Sequence, residues 1–407
     1  PLGAVTRSGG GVPTLNDPLT LLSAPRQDRD RVIHDKSISN QTDLIVKLQT
    51  AGMQHTVTTG LEIGRDESRE DRYVWNTSAA NASINLGNPV IGPRSGERAL
   101  SRTVTTTADT LAAYVNDQID LSKQWKLVGG VRGERFKASS DLLKYTLPSG
   151  FPADTTAAAV PKSETVWSPR AGVLFQTSDA QSWYVSYGTS FNPSAEAVTQ
   201  SANTAALDAE KNRSLEAGVK WDLLDGELSF TGAAFRTEKT NARSRDGTGS
   251  VQVSAGCIRV DGVELTAAGR ITPAWQVFGG YTFLDGHIIR SPEIGTGADA
   301  GIAAQGKRTP NTPRHTATLW TTARVAPQWE VGGGVLYSSQ RLLNNFESAA
   351  VDAYTRLDAT VAYLHKRYEV RLNLQNLTDK HYFEASSGGR ATPVRGRTAL
   401  ASVVVRF

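Results

Sequence analysis

Apolar and polar residues alternate along most of the chain with a period of two. The final segment, TALASVVVRF, places every second residue on one apolar face: Ala399, Ala401, Val403, Val405 and Phe407. The segments YEVRLNLQNL and TRLDATVAYL repeat the pattern, with mainly polar residues on the other face. Such alternation is typical of β-strands with one apolar and one polar side, and it predicts an all-β protein of about fifteen strands.

The connections between the predicted strands differ in length. Short ones include SKQ at 122–124, SDAQ at 178–181, LDG at 224–226 and HKR at 365–367, whereas long ones fall near 76–102, 144–164, 194–208 and 292–306. Tight turns at one end of a sheet and long loops at the other are typical of outer-membrane barrels. We therefore predict a transmembrane antiparallel up-and-down β-barrel, because a propeller or sandwich would not keep this two-sided arrangement.

Aromatic residues lie close to the predicted strand ends. Trp125, Trp183, Trp275 and Trp329 each follow a short turn by one or two residues. They predict an aromatic girdle at the periplasmic interface, where an amphipathic ring is stable, with the core of a soluble β-protein as the alternative. Phe407 would then end the closing strand of the barrel.

Composition and charge narrow the choice of class. The 407 residues are 39% hydrophobic and contain no apolar run long enough for a helical membrane span, while alternating membrane strands keep mean hydropathy low. The single cysteine, Cys257, leaves no internal disulfide. A net charge of +4, with Lys and Arg scattered, does not indicate nucleic-acid binding.

The sequence contains no recognisable catalytic or metal-binding pattern. Its six histidines lie far apart without H-E-x-x-H spacing, and G-x-S-x-G, Walker and dinucleotide-binding motifs are missing. We therefore expect no enzymatic activity, no catalytic residue and no metal site.

The C-terminal segment resembles a known family. Residues 372–407, LNLQNLTDKHYFEASSGGRATPVRGRTALASVVVRF, are similar to the closing hairpin of TonB-dependent siderophore receptors. The barrel-closing motif comprises Asn373, Leu374, Asn376, Leu377, Asp379, Tyr382 and Phe407. Similar stretches occur in the family's order at 55–66, 109–136, 168–176, 182–193 and 211–223. The resemblance covers nearly all of residues 37–407.

The resemblance implies a 22-stranded barrel with a plug in its lumen, located in the outer membrane of a Gram-negative bacterium. It implies import of ferric siderophores, with the catecholate type as one candidate and with energy from the TonB–ExbB–ExbD complex. No cofactor is expected beyond the iron that the siderophore carries. Outer-membrane lipid, lipopolysaccharide and the barrel assembly machinery are further expected partners of a monomer.

The N-terminal side departs from the family pattern. No plug domain, TonB box or set of about seven leading strands is recognisable, so we expect a fragment, the C-terminal part of such a barrel. Residues 1–25 are expected to be an extracellular loop or the remnant of a preceding strand, and residues 26–407 the barrel domain. Because an open sheet leaves unpaired edges in hydrocarbon, we expect no transport by this part alone.

In this family, ligand recognition is expected from inward residues near the long loops. Anionic ferric siderophores suit arginine and aromatic side chains. By strand parity, the arginines that point into the lumen are Arg72, Arg243, Arg308 and Arg314. The residues close to loop bases are Arg341, Phe346, Tyr73 and Trp75. The alternative for each arginine is an ion pair with a neighbouring strand or a contact with lipopolysaccharide phosphate.

Two other functions are compatible with the alternation. A porin-like diffusion channel would need one more strand from residues 1–25 to make sixteen. A soluble all-β enzyme or carbohydrate-binding module would need a second sheet over the apolar face. The family resemblance favours the receptor over both.

Overall fold

The computed structural model describes residues 6–8, 18–25, 30–76, 83–88, 97–151, 161–193, 207–245, 252–386 and 390–406. Most of these residues form one antiparallel sheet of fifteen strands, labelled β1 to β15 in chain order. Their bounds are Asp30–Thr50 (β1), Met53–Trp75 (β2), Arg98–Asp120 (β3), Trp125–Lys144 (β4), Lys162–Ser178 (β5), Gln181–Asn192 (β6), Glu210–Leu223 (β7), Leu228–Arg245 (β8), Gln252–Thr272 (β9), Trp275–Arg290 (β10), His315–Ala326 (β11), Trp329–Ser338 (β12), Tyr354–Leu364 (β13), Tyr368–Gln375 (β14) and Thr398–Val405 (β15).

Each strand pairs with the strands before and after it in sequence, so the sheet is a simple meander. This order confirms the predicted all-β, antiparallel up-and-down architecture. β1 and β15 are the outermost strands and, within the described residues, they do not pair with each other. Closure into a 22-stranded barrel and the absence of a plug therefore stay predictions.

The short connections lie at one end of the sheet, as predicted, and the expected exception, DGTGS near 245–249, joins β8 and β9 at the other end. Between β1 and β2 the turn consists of Ala51 and Gly52, with φ of 53° and 79°. Two positive φ values in a two-residue turn match the right-handed twist of the flanking strands. Because turn geometry sets strand register, β1 and β2 pair without a break from Thr50↔Met53 to Asp30↔Tyr73.

One face of the sheet is apolar and remains exposed. Trp125, Phe175 and Trp183 form a row across β4, β5 and β6, and the first two rings stack with centroids 4.4 Å apart. Trp125 is 44% exposed and Trp183 48%, as expected of side chains that face lipid rather than a protein core. Trp275 and Trp329 begin β10 and β12 at the same end of the sheet.

The opposite face of the sheet is polar. A single sheet buries few side chains, and the core cluster among the described residues contains only Ala108, Phe136 and Ala138. Polar contacts cross the strands instead: Arg132 of β4 donates to Glu62 of β2 at 2.8 Å and to Glu134 at 2.6 Å. Backbone ladders and such cross-strand pairs are therefore the main source of cohesion.

Short ribbons and turns occupy the long-loop end. Thr6–Arg7, Leu22–Pro25 and Ser83–Asn85 form a three-stranded sheet, Arg341–Leu342 pairs with Ala350–Val351, and Phe383–Ser386 pairs with Arg390–Pro393. Part of the 1–25 segment thus pairs with the loop that follows β2. Among the described residues, no helix has the length and apolar character needed to cross a membrane.

Candidate ligand-binding mouth

The eight predicted ligand-binding residues all lie at the long-loop end, but at three separate places. Arg72, Tyr73 and Trp75 lie at the C-terminal end of β2, and Arg243 lies near the end of β8. The remaining four lie in two loops that contact each other, at 291–314 and 339–353: Arg308, Arg314, Arg341 and Phe346. These two loops therefore carry half of the predicted set.

The two loops are joined by hydrogen bonds over long sequence distances. Asn345 Nδ2 donates to Glu293 Oε2 at 2.9 Å, and the Asn311 amide donates to the Leu342 carbonyl at 2.8 Å. The Arg308 amide donates to Glu347 Oε1 at 2.7 Å. Because both loops supply partners, their relative position is set by the loops themselves and not only by the strands that carry them.

A third loop, at 376–397, packs beside these two through an aromatic stack. The ring of Tyr382 lies parallel to that of Tyr354 at the start of β13, with centroids 4.0 Å apart. The guanidinium of Arg341 lies 5.9 Å from the Tyr354 ring centre, within the range of a cation–π contact. Both tyrosines are 6% exposed. We call the three loops together with Tyr354 the mouth cluster.

Arg341 has unused donor capacity inside the mouth cluster. Its Nη2 atom is buried and has no hydrogen-bond partner among the described residues. A buried guanidinium N–H without an acceptor is costly, and an anionic ligand would supply the missing acceptor through a charge-assisted bond. Among the predicted residues Arg243 Nε is likewise buried without a partner among the described residues, and Arg341 differs from Arg243 in lying where the loops meet.

Asn376 of the barrel-closing motif holds the third loop in place. Its side chain is 1% exposed, with Nδ2 donating to the carbonyls of Lys380 and Arg395 at 3.0 and 3.3 Å and Oδ1 accepting from the Lys380 amide at 2.9 Å. Its φ of 53° is one that asparagine tolerates better than most residues. The Asn376 amide donates to Asp358 Oδ1 at 2.8 Å, which ties the loop to β13.

The other motif residues complete this connection. Leu377 donates its amide to the Leu357 carbonyl at 2.8 Å, and Asp379 accepts from the Arg397 amide at 2.7 Å. Asn373 pairs with Leu400 across β14 and β15. The motif is therefore a turn that fixes the loop before the last strand. Phe407 lies outside the described residues.

Arg72, Tyr73 and Trp75 lie in a separate polar group. Arg72 and Arg102 each lie 3.8 Å from Glu70 Oε1, and the Arg98 guanidinium lies 3.6 Å above the Tyr73 ring. These contacts agree with the ion-pair alternative for Arg72. Arg98 and Arg102 were not among the predicted residues, because nothing in the local sequence distinguishes them.

Arg243 and Arg314 are also engaged by protein groups. Arg243 donates Nη2 to the Pro193 carbonyl at 3.3 Å. Arg314 donates to Asp285 at 2.7 Å. Asp285 lies on the same face of β10 as Tyr281, which is the apolar face. The expected lumen-facing position of Arg314 thus differs from the structure, because Arg314 precedes β11 and strand parity does not constrain a loop residue.

Two polar residues of β13 lie next to the mouth cluster and were missed as candidates. Arg356 donates Nη2 to Asp358 Oδ2 at 2.8 Å, and Asp358 in turn accepts from Asn376. The alternation in TRLDATVAYL places both residues on the polar face. That pattern could have identified them, but only the fold shows that the third loop returns to this point.

Comparison with known proteins finds the same architecture among bacterial receptors. The family model described as TonB dependent receptor-like, beta-barrel matches residues 6–377. The probable TonB-dependent siderophore receptor PiuA of Acinetobacter baumannii is 30% identical, over 92% of this chain and 53% of PiuA. The catecholate siderophore receptor Fiu of Escherichia coli strain K12 is 28% identical, over 98% of this chain and 55% of Fiu.

Solved structures share the fold. The crystal structure of PiuA from A. baumannii superimposes with a TM-score of 0.81 at 27% identity, over 94% of this chain and 59% of that one. The closed form of the ferric-catecholate import receptor Fiu from E. coli K12 also gives 0.81, at 25% identity, over 99% of this chain and 59% of that one. The chain spans about half the length of the curated relatives it matches.

Proposed function

The chain belongs to the TonB dependent receptor-like β-barrel family, and on that basis we propose that it forms the wall of an outer-membrane receptor for ferric siderophores. The family consists of receptors and transporters, so the prediction that the chain is not an enzyme is confirmed. Among the matched relatives, Fiu is named for catecholates. Ferric catecholates are therefore the ligand class that we propose first.

The observation that carries this proposal is the unpartnered Nη2 of Arg341 in the mouth cluster. Ferric catecholates are anionic, so the Arg341 guanidinium, which lies beside the Tyr354 ring, would supply a charge-assisted hydrogen bond. Loop residues are suited to such a role because the strands beneath them position the loop bases. Arg308 and Phe346, in the same two loops, are proposed to contribute to the same mouth.

The rest of the transport scheme is proposed on the family relationship. The polar face, with Arg132, Glu62 and Glu134, would line the lumen of a barrel completed to 22 strands around a plug. Transport would draw energy from the TonB–ExbB–ExbD complex through the part of the full-length protein that precedes this barrel region. Residues 1–25 would serve as an extracellular loop or strand remnant. The iron would enter as substrate inside the siderophore, not as a cofactor.

Binding of a ferric catecholate by the complete receptor that contains this chain is the first test. In detergent micelles, addition of a ferric catecholate should quench intrinsic tryptophan and tyrosine fluorescence in a saturable way. Arg341→Gln should weaken the apparent affinity about tenfold, the usual consequence of losing one charge-assisted hydrogen bond. Arg31→Gln is the matched control, since Arg31 is exposed and pairs with Glu70 away from the mouth cluster.

The proposal predicts no saturable quenching by the iron-free ligand at the same concentrations. Equal affinities of Arg341→Gln and the unaltered chain would remove Arg341 from the site. Uptake of radiolabelled iron by receptor-deficient cells that express the complete gene, with and without functional TonB, then tests transport. Uptake that does not depend on TonB would favour a porin-like channel.

A further inference from the structure

Glu347 lies at the point where two loops of the mouth cluster meet. Its backbone has a φ of 62°, a left-handed conformation that glutamate rarely adopts. Such a conformation costs about 1 kcal/mol and persists only where the surrounding contacts hold it. The contacts of the Glu347 side chain therefore indicate what maintains this conformation.

The Glu347 carboxylate points at the backbone of the neighbouring loop. Its Oε1 atom accepts from the Arg308 amide at 2.7 Å, and its Oε2 atom lies 3.8 Å from Lys307 Nζ. Asn344 holds the turn that carries Glu347, since its Oδ1 atom accepts from the amides of Phe346 and Ser348 at 3.1 and 3.3 Å. The loop at 339–353 thus presents a carboxylate to an amide of the loop at 291–314.

The backbone around Arg308 is also held by β10. The Lys307 carbonyl accepts from the Ile288 amide at 2.8 Å, and the Thr309 amide donates to the Gly286 carbonyl at 3.0 Å. When its two neighbours pair with a strand in this way, the amide of the middle residue points away from that strand. The Arg308 backbone is therefore fixed by β10 on one side and by Glu347 on the other.

The side chains next to this junction are available to a ligand. Arg308 and Phe346 are both half-exposed. Within the part of the chain that the structure describes, the Arg308 guanidinium has no ion pair or hydrogen bond. A cation and an aromatic ring carried by different loops thus flank one hydrogen bond, which sets the distance between the two backbones.

We propose that Glu347 is a positioning residue, which joins the two loops so that Arg308 and Phe346 meet a ligand as one preformed unit. The inference rests on the proposed binding of an anionic ferric chelate at the mouth. Because Glu347 is negatively charged and exposed, direct contact with such a ligand would weaken binding. Its contribution comes from preorganisation, since loops that are already joined lose less conformational freedom when the ligand binds.

Binding of the ferric complex of catechol by the complete receptor tests this role. Glu347→Ala removes the hydrogen-bond acceptor and should weaken the affinity about fivefold. Glu347→Gln keeps an oxygen at the same position, so its affinity should stay within about twofold of the unaltered receptor. Glu67→Ala is the matched control, because Glu67 also pairs with a lysine, Lys36 at 3.4 Å, but lies on β2 away from the mouth cluster.

A double-mutant cycle separates positioning of Arg308 from a general effect on the loop. In the Arg308→Gln background, Glu347→Ala should weaken the affinity by only about twofold, because the guanidinium that Glu347 positions is already gone. Full additivity of the two substitutions would overturn the proposal, and so would an unchanged affinity of Glu347→Ala. Equally weak binding by Glu347→Gln and Glu347→Ala would overturn it too, since the charge and not the accepted hydrogen bond would then matter.

Hydrogen exchange of the ligand-free receptor reports on the junction without any ligand. Peptides that contain the Arg308 amide should lose protection about tenfold in Glu347→Ala and keep it in Glu347→Gln. Unchanged exchange in Glu347→Ala would overturn the joining of the loops. If Glu347→Ala does not fold, Glu347→Asp, whose shorter side chain withdraws the carboxylate from the amide, should give the same losses. Absence of saturable binding by the unaltered receptor would instead overturn the proposed function, and the exchange data would still decide whether Glu347 joins the loops.

Discussion

Replacing Asn376 by alanine should detach the 376–397 loop from the sheet. The substitution removes three side-chain hydrogen bonds of a residue that is 1% exposed, at about 1 kcal/mol each. It also places alanine at a φ of 53°, which costs about 1 kcal/mol more. The total of about 4 kcal/mol corresponds to an increase of about three orders of magnitude in the opening equilibrium of the loop.

Hydrogen exchange measured by mass spectrometry reports that opening peptide by peptide. Peptides covering 377–394 should lose protection in Asn376→Ala, while β7 and β8 should be unaffected. Asn376→Gly permits the positive φ but not the hydrogen bonds, so its loss should be about 3 kcal/mol, about 1 kcal/mol smaller than that of Asn376→Ala. Asn373→Ala, in the same motif but half-exposed on β14, is the matched control.

A change in loop exchange of less than about tenfold in Asn376→Ala would refute this reasoning, because it would leave less than about 1.4 kcal/mol for all the lost interactions. The same change in Asn373→Ala would also refute it, since the effect would then follow the motif and not the buried side chain. Loss of protection throughout the sheet would show that the loop and the strands open together.

Two further predictions concern packing. Gly334→Ala should destabilise the sheet by about 2 kcal/mol, since a Cβ there would lie 2.4 Å from Trp320 Cε3. Gly129→Ala is the control and should be nearly neutral, because its Cβ would meet nothing within 4 Å. Equal urea midpoints for the two variants would contradict the prediction for Gly334→Ala. Tyr382→Ala should lower the urea midpoint because it removes the ring that stacks on Tyr354, whereas Tyr382→Phe keeps a ring there and should lower it less; equal midpoints for these two variants would contradict the stacking argument.

The architecture of the sheet was largely predictable from the sequence. A strand with one face towards lipid and one towards polar groups must alternate residue by residue, and that signal is local. LDG at 224–226 likewise requires no knowledge of distant residues, because its positive φ values are a property of the turn. The faces of β7, β13 and β14, and the end at which each turn lies, follow from these local rules.

The contacts of the mouth cluster depended on tertiary structure. Asn345 and Glu293 are 52 residues apart, and no local pattern predicts that their loops meet. Parity predicted a lumen-facing Arg314, but a loop residue takes its direction from its partner, Asp285. Asn376 was recognisable as part of a motif, whereas its role in joining a loop to β13 needed the Asp358 contact.

The sequence by itself determined which residues form strands and which face of each strand is apolar, because both depend on the backbone period of two. The tertiary structure alone decided which charged side chains meet. Cross-strand register sets Arg213 and Arg259 on one carboxylate, Glu238, and loop packing sets Arg341 beside Tyr354. Hydrogen bonds and ion pairs act over a few ångströms, so they form only after the chain has brought distant segments to the same place.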